Sequence, residues 1–333
     1  MLLSELSDVI GISGDETAVR TLIASRIRPF ADRLESDAMG NLYAYQNWDG
    51  SGPRRMVAAH MDEVGLIVSQ VTKSGHLRVK AIGGVDARVL PGAHVVVGGD
   101  HLPGVIGIKP IHLKSGPQSA PELDDLYIDI GAADEGEAKG KVHVGDPVGF
   151  ATKSRAIGQN RFAGKALDDR AGCAVLIELL KQRLGFPLCA VFTVQEEIGL
   201  RGARAAAYTV APDVALVLET TTCADLPEVE SHLKNTIQGE GAVITLVDGG
   251  QVVPEAWVRR LREAALRDGI AHQFKRTQFG GTDGGAVHLT REGVPTGVLS
   301  IPGRFIHAPC SIIDLGDMAA VQALAAAGLA AWN

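Results

Sequence analysis

The sequence predicts an α/β fold, a mixed sheet sandwiched by helices, with a small β-barrel-like domain inserted into it. Two observations carry this prediction. Strand patterns alternate with longer helical patterns in residues 1–67 and 163–333, whereas residues 68–162 contain short β-rich runs separated by Gly, Pro and Asp. Because about 67 residues bury too small a core alone, we expect residues 1–67 and 163–333 to form one discontinuous α/β domain around the all-β insert 68–162.

Hydrophobic spacing predicts the individual elements in order. Apolar residues on one helical face predict a first helix between Gly14 and Phe30, and RMVAAH, which ends at His60, is typical of a buried strand. A long helix is expected from Asp169 to Arg183. The pattern then predicts strand CAVFTVQ, an Ala-rich helix, strands VALVLE and AVITLVD, helix PEAWVRRLREAALRDG, strands HQFKRT and TGVLSIP, and a final helix after Asp314.

Composition excludes some classes of protein. The 32 basic and 39 acidic residues give a formal charge of -7, which disfavours a protein that binds nucleic acid. Apolar runs stay below the roughly 18 residues of a membrane helix, and the start of the chain lacks a basic signal segment. The four cysteines form no CxxC pair, which is typical of reduced thiols. We therefore expect a cytoplasmic protein without a membrane partner.

Acids and imidazoles cluster at the ends of predicted strands, where open α/β sheets bind their ligands. These residues are His60 and Asp62 in AHMDEVG, Asp168 and Asp169 in KALDDR, Glu196 and Glu197 in VQEEIG, Glu219 in VLETT, and His307 in RFIHAP. Nitrogen and carboxylate ligands together suit Zn(II), Co(II) or Mn(II) better than a metal selected by thiolates. The pattern therefore indicates a metal site.

Each motif alone also has a purely structural interpretation. Asp168 can be a helix N-cap, and the pair Glu196 and Glu197 can be a solvated face. Neighbouring carboxylates on an extended backbone point to opposite sides, so one of this pair can bind a metal while the other faces the water that is activated. The turn GGTDGG, with Gly281, Thr282 and Asp283, predicts either close approach of a substrate or a loop that opens a helix.

Taken together, the motifs resemble a known family. AHMDEVG, GKALDDR, EEIG, the acid in VLETTTCADLP, GGTDGGAVHLTREGVPTGVLSIPGR and RFIHAP are similar to motifs of the dinuclear metallo-aminopeptidases. That family includes glutamyl aminopeptidases and the tetrahedral, self-compartmentalising aminopeptidases, and some of its members are labelled endoglucanases or cellulases. The similarity follows the family's motif order over nearly the whole chain and includes GVIGIKPIHL and YIDIGA in the insert.

The resemblance implies a zinc-exopeptidase-like fold and two divalent metal ions per subunit, with zinc expected first and cobalt or manganese as alternatives. It implies one metal bound by His60, Asp168 and Glu219, and the other by the bridging Asp168, Glu197 and His307. It also implies Glu196 as the general base and Asp62 as the carboxylate that orients His60. Glu219 replaces the Asp of many relatives, and Cys310 is unusual at its position.

The expected function is the removal of N-terminal residues from peptides by a metal-activated water. An amidohydrolase or deacylase of small N-acyl compounds is the alternative enzyme, because the same metals serve any amide. A non-catalytic peptide-binding assembly is a third possibility, but it would have lost a ligand or Glu196. The resemblance further implies that the insert joins subunits into dimers and the dimers into a dodecamer. The preferred N-terminal residue does not follow from the sequence.

Overall fold

The computed structural model of the protein describes residues 1–113, 120–278 and 280–332. Within these ranges the strands form an 11-stranded mixed sheet and a closed barrel of six strands. The predicted α/β fold with an inserted β-barrel is confirmed. None of the helices in the same ranges has the length and apolarity that crossing a membrane requires.

The secondary structure has the following bounds in the described residues. The helices are α1 (Leu2–Asp8), α2 (Thr17–Ile27), α3 (Glu135–Lys139), α4 (Leu167–Gln182), α5 (Arg201–Val210), α6 (Glu255–Asp268), α7 (Gly284–Val287) and α8 (Leu315–Ala330). The strands are β1 (Arg33–Ser36), β2 (Leu42–Gln46), β3 (Arg55–His60), β4 (Gly65–Val71), β5 (Leu77–Ile82), β6 (His94–Val97), β7 (Leu102–Ile108), β8 (Leu126–Asp129), β9 (Pro147–Phe150), β10 (Arg155–Ile157), β11 (Arg161–Gly164), β12 (Leu188–Thr193), β13 (Val214–Thr222), β14 (Ala242–Ile244), β15 (His272–Phe274), β16 (Thr296–Arg304) and β17 (Ser311–Asp314).

The centre of the large sheet is parallel and buried on both faces. Strands β12, β3, β13 and β16 are neighbours in this order, and each pairs in parallel with the next. Their continuous apolar sequences follow from this double burial, since helices cover both faces. Alternate residues of β12 show it: Phe192 packs into the core with α2, α4 and α8, whereas Val191 packs into the core with α5 and α7.

The barrel contains β4 to β9 and encloses a core of its own. Strands β10 and β11 instead pair with each other and, through β17, with the large sheet. The predicted boundary at residue 162 therefore falls inside a strand of the large sheet. This boundary was not predictable from the sequence, because short strands flanked by Gly have similar patterns and the partner strand β17 lies about 150 residues further along the chain.

Two helices differ from their predicted bounds. The helix predicted between Gly14 and Phe30 is α2, and α1 precedes it; α1 is too short to show a clear helical period. The helix α4 begins at Leu167, but Asp168 and Asp169 have non-helical backbone angles. At this distorted start of α4, the Asp168 side chain lies 3.3 Å from His60, the last residue of β3.

Candidate active site

The predicted ligands meet at the carboxyl-terminal edge of the parallel strands. Strand β3 ends at His60, β13 carries Glu219, and β16 ends just before His307. The pair Glu196–Glu197 follows β12, and Asp168 lies at the start of α4. Because parallel strands end at the same edge, residues distant in sequence come together there.

Asp168 lies at the centre of this cluster. Its Oδ1 is 3.3 Å from His60 Nε2, and its Oδ2 is 3.3 Å from His307 Nε2. Glu219 Oε1 joins the first imidazole at 3.2 Å, and Glu197 Oε2 joins the second at 3.4 Å. The cluster thus contains two groups of three side chains that share Asp168, and within each group the potential ligand atoms lie within 4.8 Å of one another.

The electrostatics of the cluster fit a divalent cation. Burial, with the nearby charge of Asp168, raises the pKa of Glu197 to about 8 and the pKa of Glu219 to about 7. Burial also acts to raise the pKa of Asp168, but hydrogen bonds from His307 and His60 outweigh it and hold that pKa below its ordinary value. Glu219 Oε2 is buried without a hydrogen-bond partner in the described part of the chain. A cation would stabilise these carboxylates in their ionised form.

Asp62 is fully buried next to the cluster and contacts His60. The Nδ1 atom of His60 lies 3.1 Å from the Asp62 carbonyl oxygen and 3.5 Å from its carboxylate. That carboxylate also accepts hydrogen bonds from the Ser13 hydroxyl at 2.6 Å and from the backbone N–H groups of Glu196 and Glu197 at 3.0 and 3.2 Å. Asp62 therefore contacts the imidazole and also fixes the backbone of the glutamate pair, a contact that the sequence did not predict.

A buried charge network below the cluster was missed by the sequence analysis. Arg170 has an exposed fraction of 0% and donates to the carbonyl oxygens of Leu6 at 2.6 Å and Met61 at 2.7 Å. Lys165 Nζ donates to Glu63 Oε1 at 2.7 Å. Glu63 lies within the motif HMDEVG, and Lys165 and Arg170 are the first and last residues of KALDDR, so their place in these motifs was the one signal in the sequence for them.

The barrel contacts the cluster through the turn after β5. A Cβ atom placed on Gly84 would lie 3.1 Å from His307 Nδ1, and one placed on Gly83 would lie 3.2 Å from Glu197 Cβ. A side chain at either position would have to displace its neighbour by a few tenths of an ångström. The turn Gly83–Gly84 therefore packs directly against two members of the second ligand group.

A cleft of about 520 Å³ opens from the cluster. Of the residues predicted to contact the substrate, Gly281 and Thr282 line this cleft and Asp283 does not; Cys310 is also absent from its lining. Asp283 precedes α7 and is 1% exposed, because its carboxylate faces the core and accepts a hydrogen bond from the Thr193 hydroxyl at 2.5 Å. Further lining residues are Leu200, Thr220, Thr221, Thr222, Ala224, Leu233, Asn235, Lys275, Thr277, Gly280 and Ile306.

The two pairs of glycines in GGTDGG have different surroundings. Around Gly280 and Gly281, no atom lies within 4 Å of an added Cβ in the described residues, so this backbone is open to the cleft. Gly285 instead packs against the backbone of Gly250, whose Cα lies 3.1 Å from an added Cβ. The second pair of glycines therefore serves the packing of α7.

An α/β fold whose mixed sheet carries two imidazoles and four carboxylates at one edge defines a metal-dependent hydrolase. These residues are His60, His307, Asp168, Glu196, Glu197 and Glu219. A profile of the M42 glutamyl aminopeptidase family matches residues 40–324. The chain is 33% identical over 335 residues to a lysyl aminopeptidase of Pyrococcus furiosus, covering 95% of this chain and 92% of that protein.

Solved structures agree. An aminopeptidase of the archaeon Desulfurococcus kamchatkensis superposes with a TM-score of 0.94 at 37% identity, covering 98% of this chain and 92% of that one. The Pyrococcus horikoshii TET1 peptidase, which can assemble into a tetrahedron or a large octahedral shell, gives a TM-score of 0.86 at 32% identity, covering 98% and 97%. The chain belongs to the M42 family of aminopeptidases, metal-dependent hydrolases of peptide bonds. The family resemblance of the motifs is confirmed.

Proposed function

We propose that this aminopeptidase works with two divalent metal ions, the first bound by His60, Asp168 and Glu219 and the second by Asp168, Glu197 and His307. One observation carries the proposal: the two carboxylate oxygens of Asp168 face two different imidazoles, each at 3.3 Å. Metal ions held in this way lower the pKa of water and polarise a carbonyl group. The nitrogen and oxygen donors suit zinc first, with cobalt or manganese as alternatives.

Glu196 is the proposed general base. Asp62 fixes its backbone, and its carboxylate lies outside the two groups that share Asp168, although it reaches His60. Burial raises the pKa of Glu196 well above its ordinary value, which favours a group that takes a proton and returns it. Glu196 therefore accepts the proton of the attacking water and transfers it to the departing amine. Gly281 and Thr282, and not Asp283, are the proposed substrate contacts in the GGTDGG turn.

Three matched variants test these roles by metal analysis and by hydrolysis of aminoacyl p-nitroanilides. E196Q should keep both metal ions and the fold while kcat falls by roughly 10²–10⁴-fold, the scale of a positioned acid–base group. E197Q should bind one metal ion more weakly, and D168N should hold far fewer than two. If E196Q loses metal and E197Q keeps it, the two roles are exchanged.

Two other outcomes would contradict the proposal. Full activity of D168N with both metals bound would remove the bridging role. If the protein hydrolyses small N-acyl amides but does not hydrolyse substrates with a free amino terminus, the deacylase alternative is favoured.

We also propose that the barrel is an interaction domain, inserted into a discontinuous α/β domain, and that subunits form dimers which assemble into a dodecamer. The separate core of the barrel supports the first part, and the assembly of the related TET1 peptidase supports the second. Light scattering should give a mass many times the 34.9 kDa of one chain, and a monomer at micromolar concentration would contradict this.

A cytoplasmic location is proposed as well, since the four cysteines are free thiols.

A further inference from the structure

Three consecutive backbone N–H groups, those of residues 195–197, donate to two buried carboxylates. The N–H of Gln195 donates to Glu16 Oε1 at 3.2 Å, and the next two donate to the Asp62 carboxylate at 3.0 and 3.2 Å. Glu16 is 4% exposed and Asp62 is 0% exposed. The segment that carries the glutamate pair is therefore held on its N–H side by these two side chains.

Both carboxylates are tied to the turn before α2, residues 13–16. The Ser13 hydroxyl donates to Asp62 Oδ2 at 2.6 Å. Glu16 belongs to the turn itself, and its Oε1 also accepts the backbone N–H of Gly14 at 2.7 Å. The turn and Asp62 thus form one hydrogen-bonded unit next to the glutamate pair.

Capping of α2 is the ordinary structural role for polar residues in such a turn. Glu16 occupies the N-cap position of α2, but in the described residues its side chain makes no capping hydrogen bond to that helix. The carboxylate reaches instead to Gln195, 179 positions further along the chain. Its contact with the segment after β12 therefore needs an explanation other than the stability of α2.

The backbone that receives this contact has an uncommon conformation. Gln195 has a φ of 56°, in the left-handed region that residues other than Gly seldom adopt. Such a conformation persists only where the surrounding structure holds it. The carbonyl oxygen of Gln195 accepts the N–H of Arg201, at the start of α5, at 3.2 Å, and its N–H is held by Glu16. The direction in which the Glu196 side chain leaves the backbone therefore depends on the turn.

We propose that Glu16 and Ser13 are positioning residues for the general base Glu196. They act through the backbone of residues 195–197 and so set where the Glu196 carboxylate lies relative to the attacking water. In the described part of the chain, neither belongs to the ligand groups or to the lining of the cleft, so neither contacts metal or substrate. A displacement of a catalytic group by about 1 Å can cost on the order of 100-fold in rate. This inference rests on the proposed function.

The test measures kcat, KM and metal content with the aminoacyl p-nitroanilides. E16A should lower kcat by roughly 10–100-fold, the scale for the loss of an outer contact at a metal site, while both metal ions stay bound. KM should change by less than about threefold, because the substrate contacts are unaltered. E16Q should keep most of the activity, since its amide oxygen accepts the same hydrogen bonds. S13A should show a smaller decrease than E16A, because Asp62 keeps its two backbone donors, and S13T should restore the activity.

The control D317A removes a similarly buried carboxylate away from the cleft. Asp317 is 1% exposed and accepts the backbone N–H groups of Gly239 and Gly241, both at 2.7 Å. D317A should lose stability, as E16A does, but its kcat should equal that of the wild-type protein. Equal kcat values for E16A and D317A, or loss of metal by E16A, would overturn the proposal.

A double-mutant cycle separates positioning from general destabilisation. In the E196Q background, E16A should lower the residual kcat by less than about twofold, because the group that it positions is absent. The same decrease in both backgrounds would show that Glu16 does not act through Glu196, and the proposal would be wrong. If E16A does not fold, the cycle is measured with S13A. If E196Q is as active as the wild-type protein, the proposed base itself fails, and this inference with it.

Discussion

Removal of the buried Arg170 guanidinium should destabilise the protein by about 3–5 kcal/mol, the usual cost of breaking a buried charge network. The side chain donates to the carbonyl oxygens of Leu6, Val9, Gly11 and Met61. Without Arg170, two of these oxygens still accept another hydrogen bond. Lys165 Nζ donates to the carbonyl oxygen of Val9, and the backbone N–H of Glu63 donates to that of Gly11. Leu6 and Met61 lose theirs in R170M. Each orphaned buried carbonyl costs about 1–3 kcal/mol, so the two account for about 2–6 kcal/mol.

Urea unfolding followed by tryptophan fluorescence, at one protein and metal concentration, measures this change. The control R259M removes an arginine that is half exposed on α6 and lies 3.7 Å from Glu255, so it should change the free energy of unfolding by less than about 1 kcal/mol. If R170M and R259M agree within about 1 kcal/mol, the reasoning is refuted. R170K keeps the charge but lacks the fork of donors, and its stability should lie between R170M and the wild-type protein.

Three further predictions follow from the site and its surroundings. G84V should push His307 aside and lower kcat/KM at least tenfold without unfolding the protein; G99V, at an open position of the barrel, should not, and equal activities would show that the turn does not position the imidazole. Removal of metal by a chelator should lower the thermal unfolding temperature, because bound ions stabilise the folded state by about 2.7 kcal/mol at 100 times their Kd, and an unchanged temperature would argue against the site. Burial acts to raise the pKa of Asp225, but Arg304 and its other hydrogen-bond donors lower it to about 2. The stability that Asp225 contributes is therefore present above its unfolded pKa of 3.8 and is lost as the pH falls toward 2. D225N should show a weaker loss of unfolding midpoint over this range than the wild-type protein, and parallel pH profiles would contradict the role of this pair.

The ligand cluster was predictable because its residue types coincide with a change of pattern. His60 ends an apolar run, and Glu196 and Glu197 follow another, so the sequence marks both the strand and its functional end. The buried network of Arg170 could not be predicted in this way. Its partners are backbone carbonyls, which have no residue type, and they lie more than 100 positions away in the chain.

The wall of the cleft was unpredictable for a similar reason. Lys275, Asn235 and Thr282 come from separate loops, and one sequence does not show which loops meet. Asp283 shows the converse, since its motif was recognised but the direction of the side chain was set by the start of α7 and by Thr193 in β12. The boundary predicted at residue 162 falls inside β11, and the pairing of β11 with β17 is a long-range contact that the sequence does not show.

Both connections of the barrel run through the catalytic edge. The chain enters β4 at Gly65, directly after His60 and Asp62, and it returns from Phe150 through β10 and β11 to Asp168. The turn Gly83–Gly84 adds a third point of contact. The barrel is thus attached next to the ligand cluster at three points, two chain connections and one packed turn. His60 and Asp168 therefore lie closer along the chain to the barrel than the helices α5 to α8 do.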